Sequence, residues 1–138
     1  MNNEATNGSE VVRKWHGIVE SGDPGGLEGL LAEEAVFHSP VVHSPQRGKA
    51  LTTMYLTAAM SVFRDSDFQY VREVVGHRDA VLEFTATIDG IHLNGVDMIH
   101  WNSDGRIDDF KVMIRPLKAV NLLHRMMAQM LEQFAPGK

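Results

Sequence analysis

The chain has no cysteine, and only two tryptophans and two tyrosines among its 138 residues. Without thiols it can form neither a disulfide scaffold nor a thiolate zinc site. Basic side chains are in the minority, 13 Lys and Arg against 18 Asp and Glu for a net charge of −5, and they form no run. Nucleic acids and anionic membranes attract proteins through a positive field, so neither is an expected partner. No stretch approaches the roughly 20 apolar residues of a membrane span, and the opening MNNEATNGSE lacks the apolar centre of a signal peptide. A cytoplasmic location is the expectation. What the chain does have is an ordinary 43% of hydrophobic residues. One domain of normal core content fits this length, over residues 9–138, behind a polar disordered tail at 1–8.

Ser9 is placed to cap a helix in which Val11, Val12, Trp15, Ile18 and Val19 recur at helical spacing, and Gly22 ends it. Asp23-Pro24 opens a short second helix with Leu27, Leu30 and Leu31 as its buried stripe, weakened by Gly25, Gly26 and Gly29. Residues 35–38 read as a strand stopped by Pro40, followed by a loop to Gly48 with the small repeat His38-Ser39-Pro40 and His43-Ser44-Pro45. A third helix is expected from Lys49 to Phe63 with Leu51, Met54, Tyr55, Ala58 and Val62 facing the core.

The periodicity then changes to two. Turn signals at Gly76-His77-Arg78-Asp79, Asp89-Gly90 and Asn102-Ser103-Asp104-Gly105 divide four antiparallel strands near 67–76, 80–88, 91–101 and 106–115. In the second of these, Leu82, Phe84, Ala86 and Ile88 share one face. Pro116 opens a final helix over 117–138, striped by Val120, Leu123, Met127, Met130, Leu131 and Phe134. This order predicts an α+β fold, a curved antiparallel sheet wrapped on helices as a cone whose open end is an apolar pocket.

Several spaced segments carry a family resemblance over roughly residues 9–116. They are Ser21-Gly22-Asp23 after the first helix, Ala35-Val36-Phe37-His38-Ser39-Pro40 on the first strand, Arg47-Gly48 before the long helix, and Asp104-Gly105-Arg106-Ile107 before the last strand. With this element order the chain resembles the nuclear transport factor 2-like superfamily, which includes the ketosteroid isomerase and SnoaL-like polyketide cyclase branches. The resemblance implies a cystatin-like cone, the homodimer through the exposed sheet face that is frequent in the family, and a pocket for a small hydrophobic molecule; no cofactor is expected. Ketosteroid isomerases use an Asp base, with a Tyr and a protonated Asp that hydrogen-bond the developing oxyanion. By spacing, the oxyanion Asp falls on Asp97, the Tyr on Trp15 and the base on Ser39. A hydroxyl without an activating partner does not replace a carboxylate base at neutral pH, so steroid isomerisation by that route is not expected. The limonene epoxide hydrolase pattern fails as well, with Gly95 and Val112 at its Arg and Asp positions.

Asp97 is the leading site residue, because an inward Asp97 shares its face with Leu93, Gly95, Ile99 and Trp101, where desolvation raises a carboxyl's pKa. The opposite register would leave it solvated, with Val96 and Met98 inside. His38, beside the position of the missing base, has the intrinsic pKa for proton transfer, although alternation puts it on the face opposite Phe37 and Ser39. His43 in the loop over the pocket mouth is the other replacement base. Trp15, Ser39, Tyr55, Phe84, Ile99 and Trp101 are the expected ligand contacts, with Tyr55 offering its hydroxyl. His38, His43, His92 and His100 fit no compact metal motif, and none is expected to hold a metal. Two readings follow. One is a cofactor-independent isomerase, cyclase or hydrolase working by proton transfer, and the other is a non-catalytic ligand-binding or dimerisation module.

Overall fold

The computed structural model describes residues 3–134, with side chains over 10–133. The first helix, α1, spans Asn3–Ser21. It starts upstream of the expected Ser9 cap, so residues 3–8 of the expected tail are helical, and residues 1–2 lie outside the described residues. Glu4, Ala5 and Glu10 are good helix formers, and the weaker Thr6, Asn7, Gly8 and Ser9 between them do not include a proline to stop the helix. Asp23 then accepts a hydrogen bond from Gly25 N–H and caps a turn of 3-10 helix at Pro24–Gly26.

The second helix, α2, is one turn, Leu27–Leu30, and Leu31 already begins strand β1, Leu31–His38. This corrects the expected start of that strand and moves Leu31 from the helix stripe to the sheet. The glycines that weaken α2 explain its brevity, while Leu31 and Ala35 are fully buried as strand residues. A two-residue strand, β2 (Gln46–Arg47), pairs antiparallel with β1 inside what reads in sequence as loop. Helix α3 follows at Lys49–Val62. Its buried face is Thr52, Leu56, Ala58 and Val62, whereas Leu51 is 38% exposed, a rotation from the expected stripe. Thr52 sets that rotation. Its Oγ1 donates to Ala35 O (3.2 Å), which also accepts from Gly48 N–H (2.7 Å), so the start of α3 is tied to β1.

Strands β3 (Gln69–Val75), β4 (Asp79–Ile88), β5 (Ile91–Trp101) and β6 (Ile107–Arg115) form the antiparallel run, and helix α4 closes the described chain at Leu117–Phe134. The six strands make one sheet in the order β2-β1-β6-β5-β4-β3. One pair departs from the antiparallel expectation, because β1 runs parallel to β6. A parallel neighbour needs a crossover, and everything between β1 and β6 in sequence supplies it. Register shifts at Leu31/Val36, Tyr70/Arg72 and His100/Trp101 bend the sheet. The result is the expected α+β cone, an unclosed curved sheet with its helices on the concave face.

Alternation sorts the two faces. On β4, Leu82, Phe84, Ala86 and Ile88 are buried, and on β5, Leu93, Ile99 and Trp101. The convex face carries exposed Val74, Val81 and Met98 side by side across three strands, with exposed Met113 diagonal to Met98 on the fourth and Lys111 directly opposite Met98. No helix among the described residues is long and apolar enough to cross a membrane.

Candidate functional site

The helices do not fill the cone. A cavity of about 510 Å³ remains between α1, α3, α4 and the sheet. Its walls are apolar: Phe37 and Phe110 from β1 and β6, Leu56 and Met60 from α3 with Phe63 just after it, Phe68, Phe84, Val112 and Ile114 from the sheet side, and Leu123 and Met127 from α4. Ordinary ligand sites have this size and this lining.

One carboxyl faces the cavity from the middle of the sheet. Asp97 shares the inward side of β5 with Gly95 and Ile99 and is only 5% exposed. Its Oδ2 accepts a hydrogen bond from the Tyr70 hydroxyl at 2.5 Å, and the Tyr70 oxygen in turn accepts from Trp15 Nε1–H at 2.9 Å. Burial pushes the Asp97 carboxyl up from 3.8 to about 7, against the smaller lowering by the Tyr70 hydrogen bond. Burial, with the Asp97 charge next to it, holds the Tyr70 phenol well above its ordinary value. Tyr70 therefore stays a donor across the physiological range, while Asp97 is poised to exchange its proton there.

The structure brings together Asp97, Trp15, Ser39 and Phe84 of the residues singled out from sequence. It places the others elsewhere. His38 lies on the convex side of β1, where its Nε2 meets Asp109 Oδ1 at 2.9 Å, because strand alternation turns it away from Phe37 and Ser39. His43 is an exposed loop residue outside the cavity lining. Tyr55 packs against Phe37 at 5.4 Å between ring centroids rather than lining the cavity, a consequence of the rotation of α3. Ile99 and Trp101 face inward but sit in the closed part of the core beyond Asp97. Among the described residues, no group of three or more His, Asp and Glu is arranged to hold a metal ion.

Tyr70 is the functional residue that sequence reasoning missed. It is the one partly buried residue of an otherwise exposed edge strand, a contrast that only the folded chain displays. Phe63 and Phe68, also missed, complete an aromatic cluster with Phe84: Phe68 stacks on Phe84 at 4.9 Å, and Phe63 meets it edge-on at 5.7 Å.

Gly95 keeps that cluster in place. A Cβ there would lie 2.5 Å from Phe84 Cζ and 2.7 Å from Met113 O, so the Phe84 ring occupies the space of a side chain at 95. Gly95→Ala is therefore expected to drive the Phe84 ring into the cavity and strain β6, costing about 1–3 kcal/mol. A urea unfolding midpoint unchanged from wild type would contradict this packing.

The rim is polar. Glu20, Asp65 and Asp67 line the cavity together with Arg64, three carboxylates to one guanidinium. Ser39 lies here too. Its Oγ accepts from Val41 N–H (3.1 Å), and its own hydrogen has no acceptor among the described residues.

A family model described as a SnoaL-like domain matches residues 12–110, which span both Trp15 and Asp97. The chain belongs to the SnoaL-like family. Its solved relatives agree with the cone described above. A steroid delta-isomerase from Pseudomonas aeruginosa is 38% identical, with 93% of each chain covered and a TM-score of 0.88. A conserved bacterial protein with a cystatin-like fold from Silicibacter pomeroyi is 31% identical over 86% of this chain and 83% of that one, at a TM-score of 0.80. An NTF2-like protein of unknown function from Mesorhizobium loti, 20% identical over 84% of this chain and 97% of that one, shares the fold at a TM-score of 0.75. No match was found among curated proteins.

Proposed function

We propose that this SnoaL-like protein binds a neutral, hydrophobic, carbonyl-bearing small molecule in its cone and moves a proton on it through Asp97, without a cofactor. The observation that carries this reading is the buried Asp97 carboxyl among the apolar walls of the cavity, where burial pushes it up to about 7. The likeness to a steroid delta-isomerase supports the same class of chemistry, proton abstraction next to a carbonyl.

In that reaction the ionised carboxylate takes a proton from the carbon beside the carbonyl, and the C–H electron pair moves onto the carbonyl oxygen as an enolate. Return of a proton from the carboxyl to another carbon of the enolate system completes an isomerisation, and return to either carbon after the carboxyl has exchanged with solvent leaves a solvent hydrogen on the ligand. Ser39, with its hydroxyl hydrogen uncommitted, is a donor for a ligand oxygen near the mouth. The excess of carboxylates at the rim disfavours ligands that end in a carboxylate or phosphate there.

The test is deuterium uptake by a panel of neutral hydrophobic ketones in D2O, followed by NMR. The proposal predicts protein-dependent exchange at carbons next to the carbonyl, rising with pH around a midpoint of about 7. Ketones that bind tightly and never exchange would instead support a non-catalytic binding module, the reading favoured by Ser39 standing where a second carboxyl is expected.

For the convex sheet face we propose a second copy of the chain as partner, on the strength of exposed Val74, Val81, Met98 and Met113. A monomeric mass at micromolar concentration contradicts that assignment.

A further inference from the structure

The three-residue chain of hydrogen bonds has a direction, and the direction is set at its far end. An indole N–H is a donor only, so in the 2.9 Å contact between Trp15 and Tyr70 the phenolic oxygen must accept. A phenolic hydrogen lies near the ring plane and has two favoured orientations about the C–O bond. With the indole on one side of the oxygen, the hydrogen is left to point to the other, where Asp97 Oδ2 stands at 2.5 Å. Asp97 Oδ2 is thereby committed as an acceptor. Oδ1 makes no hydrogen bond among the described residues, and Asp97 lines the cavity.

We propose that Trp15 is a positioning residue: by fixing the Tyr70 hydroxyl on Oδ2, it leaves Oδ1 as the one oxygen of Asp97 that carries and exchanges a proton with a ligand in the cavity. The inference rests on the assignment of Asp97 as the proton-transfer group. Without the indole the phenol has a second arrangement, in which it accepts from a proton on Oδ2 and turns its own hydrogen into the cavity. The reactive proton would then be shared between two oxygens and held out of reach part of the time.

The indole is well held for this role. It is 4% exposed, and its ring meets Phe110 edge-on at 4.9 Å. Other groups near the chain do not compete for the carboxyl. Leu82 of β4 and Val112 of β6 lie opposite Asp97 in the sheet. The nearby titratable groups, His16 of α1 and Glu73 of β3, meet each other at 2.5 Å while the His16 ring packs on Tyr70. Tyr70 is the single titratable side chain bonded to Asp97 among the described residues.

Two effects push the Asp97 midpoint the same way when the indole is lost. The phenol becomes a weaker donor, because a hydrogen bond accepted by its oxygen strengthens the one it gives. The protonated carboxyl also gains an acceptor. The test is the Asp97 titration, read by carboxyl carbon NMR, in wild type, Trp15→Phe, Tyr70→Phe and the double variant. Trp15→Phe is expected to raise the midpoint by a few tenths of a unit when Tyr70 is present. In the Tyr70→Phe background, Trp15→Phe is expected to add no rise. An equal shift in both backgrounds, or none in either, overturns the proposal, since a role in packing alone acts without the phenol.

Should Trp15→Phe fail to fold, 5-fluorotryptophan incorporation replaces it. The more acidic indole N–H is expected to lower the midpoint with Tyr70 present and not in the Tyr70→Phe background, and equal shifts again overturn the proposal. Ketone exchange reports separately on catalysis. A protein that titrates as predicted here but exchanges nothing keeps the positioning and loses the proton transfer.

Discussion

Asp97→Asn is expected to slow protein-dependent deuterium exchange into a bound ketone by about 100- to 10,000-fold, the usual contribution of one positioned acid or base. An amide has the carboxyl's shape but has no proton to take or return near neutrality. Ligand binding should survive, because the apolar walls from α3, α4 and the sheet remain and the Asn side chain can still accept from Tyr70. Quenching of Trp15, which lines the cavity, reads binding independently of exchange. An exchange rate in Asp97→Asn within a factor of two or so of wild type would remove Asp97 from the chemistry and leave the cone as a binding site.

The same substitution is expected to change how stability depends on pH. Asp97 has a folded-state pKa of about 7 against 3.8 for the free side chain, so the folded protein binds the extra proton between those values. Stability from this group is fully present below pH 3.8 and is lost as pH rises through about 7, after which the loss levels off. At about 1.4 kcal/mol per unit, a shift of this size corresponds to roughly 4 kcal/mol at most. Asp97→Asn removes the ionisation and with it the decline. In urea unfolding the variant should gain about 1–4 kcal/mol on wild type between pH 4 and pH 8. Parallel stability profiles for the two proteins over that range would show that the carboxyl is already ionised, and solvated, at low pH.

Such a trade belongs to a site rather than to a scaffold. A carboxyl placed in apolar surroundings weakens the fold at neutral pH, and its neighbours offset this only in part, through one hydrogen bond from Tyr70. The same surroundings give Asp97 a proton that can be exchanged at neutral pH. A solvated carboxylate would be more stable and chemically idle.

How far this was legible in the sequence depended on whether a signal was local. Strand β5 shows its inward set, Leu93, Gly95, Asp97, Ile99 and Trp101, by period-two alternation between two clear turns, and the structure buries that set. The same alternation puts His38 on the convex face with Asp109. The rotation of α3 was hidden because its cause, the bond from Thr52 to Ala35 O, joins residues from different elements.

The contact between Tyr70 and Asp97 was hidden for a similar reason. They stand on β3 and β5 with β4 between them, about 9–10 Å across two strand spacings, so only a long side chain lying over the sheet can join them. The bulge between Tyr70 and Arg72 further breaks the alternation that would have turned Tyr70 inward on paper. Gly95, the register neighbour of Phe84, keeps the floor clear for the aromatic cluster beside that crossing, and no pattern within β5 alone shows it.

The account stands on the ionisation of one carboxyl in an apolar cone. Its most direct test is the titration of the Asp97 carboxyl carbon by NMR in the unliganded wild-type protein. The predicted midpoint is about 7. A midpoint near the ordinary aspartate value of about 3.9 would mean a solvated carboxylate and would contradict both the proton transfer and the pH-dependent stability argued from it.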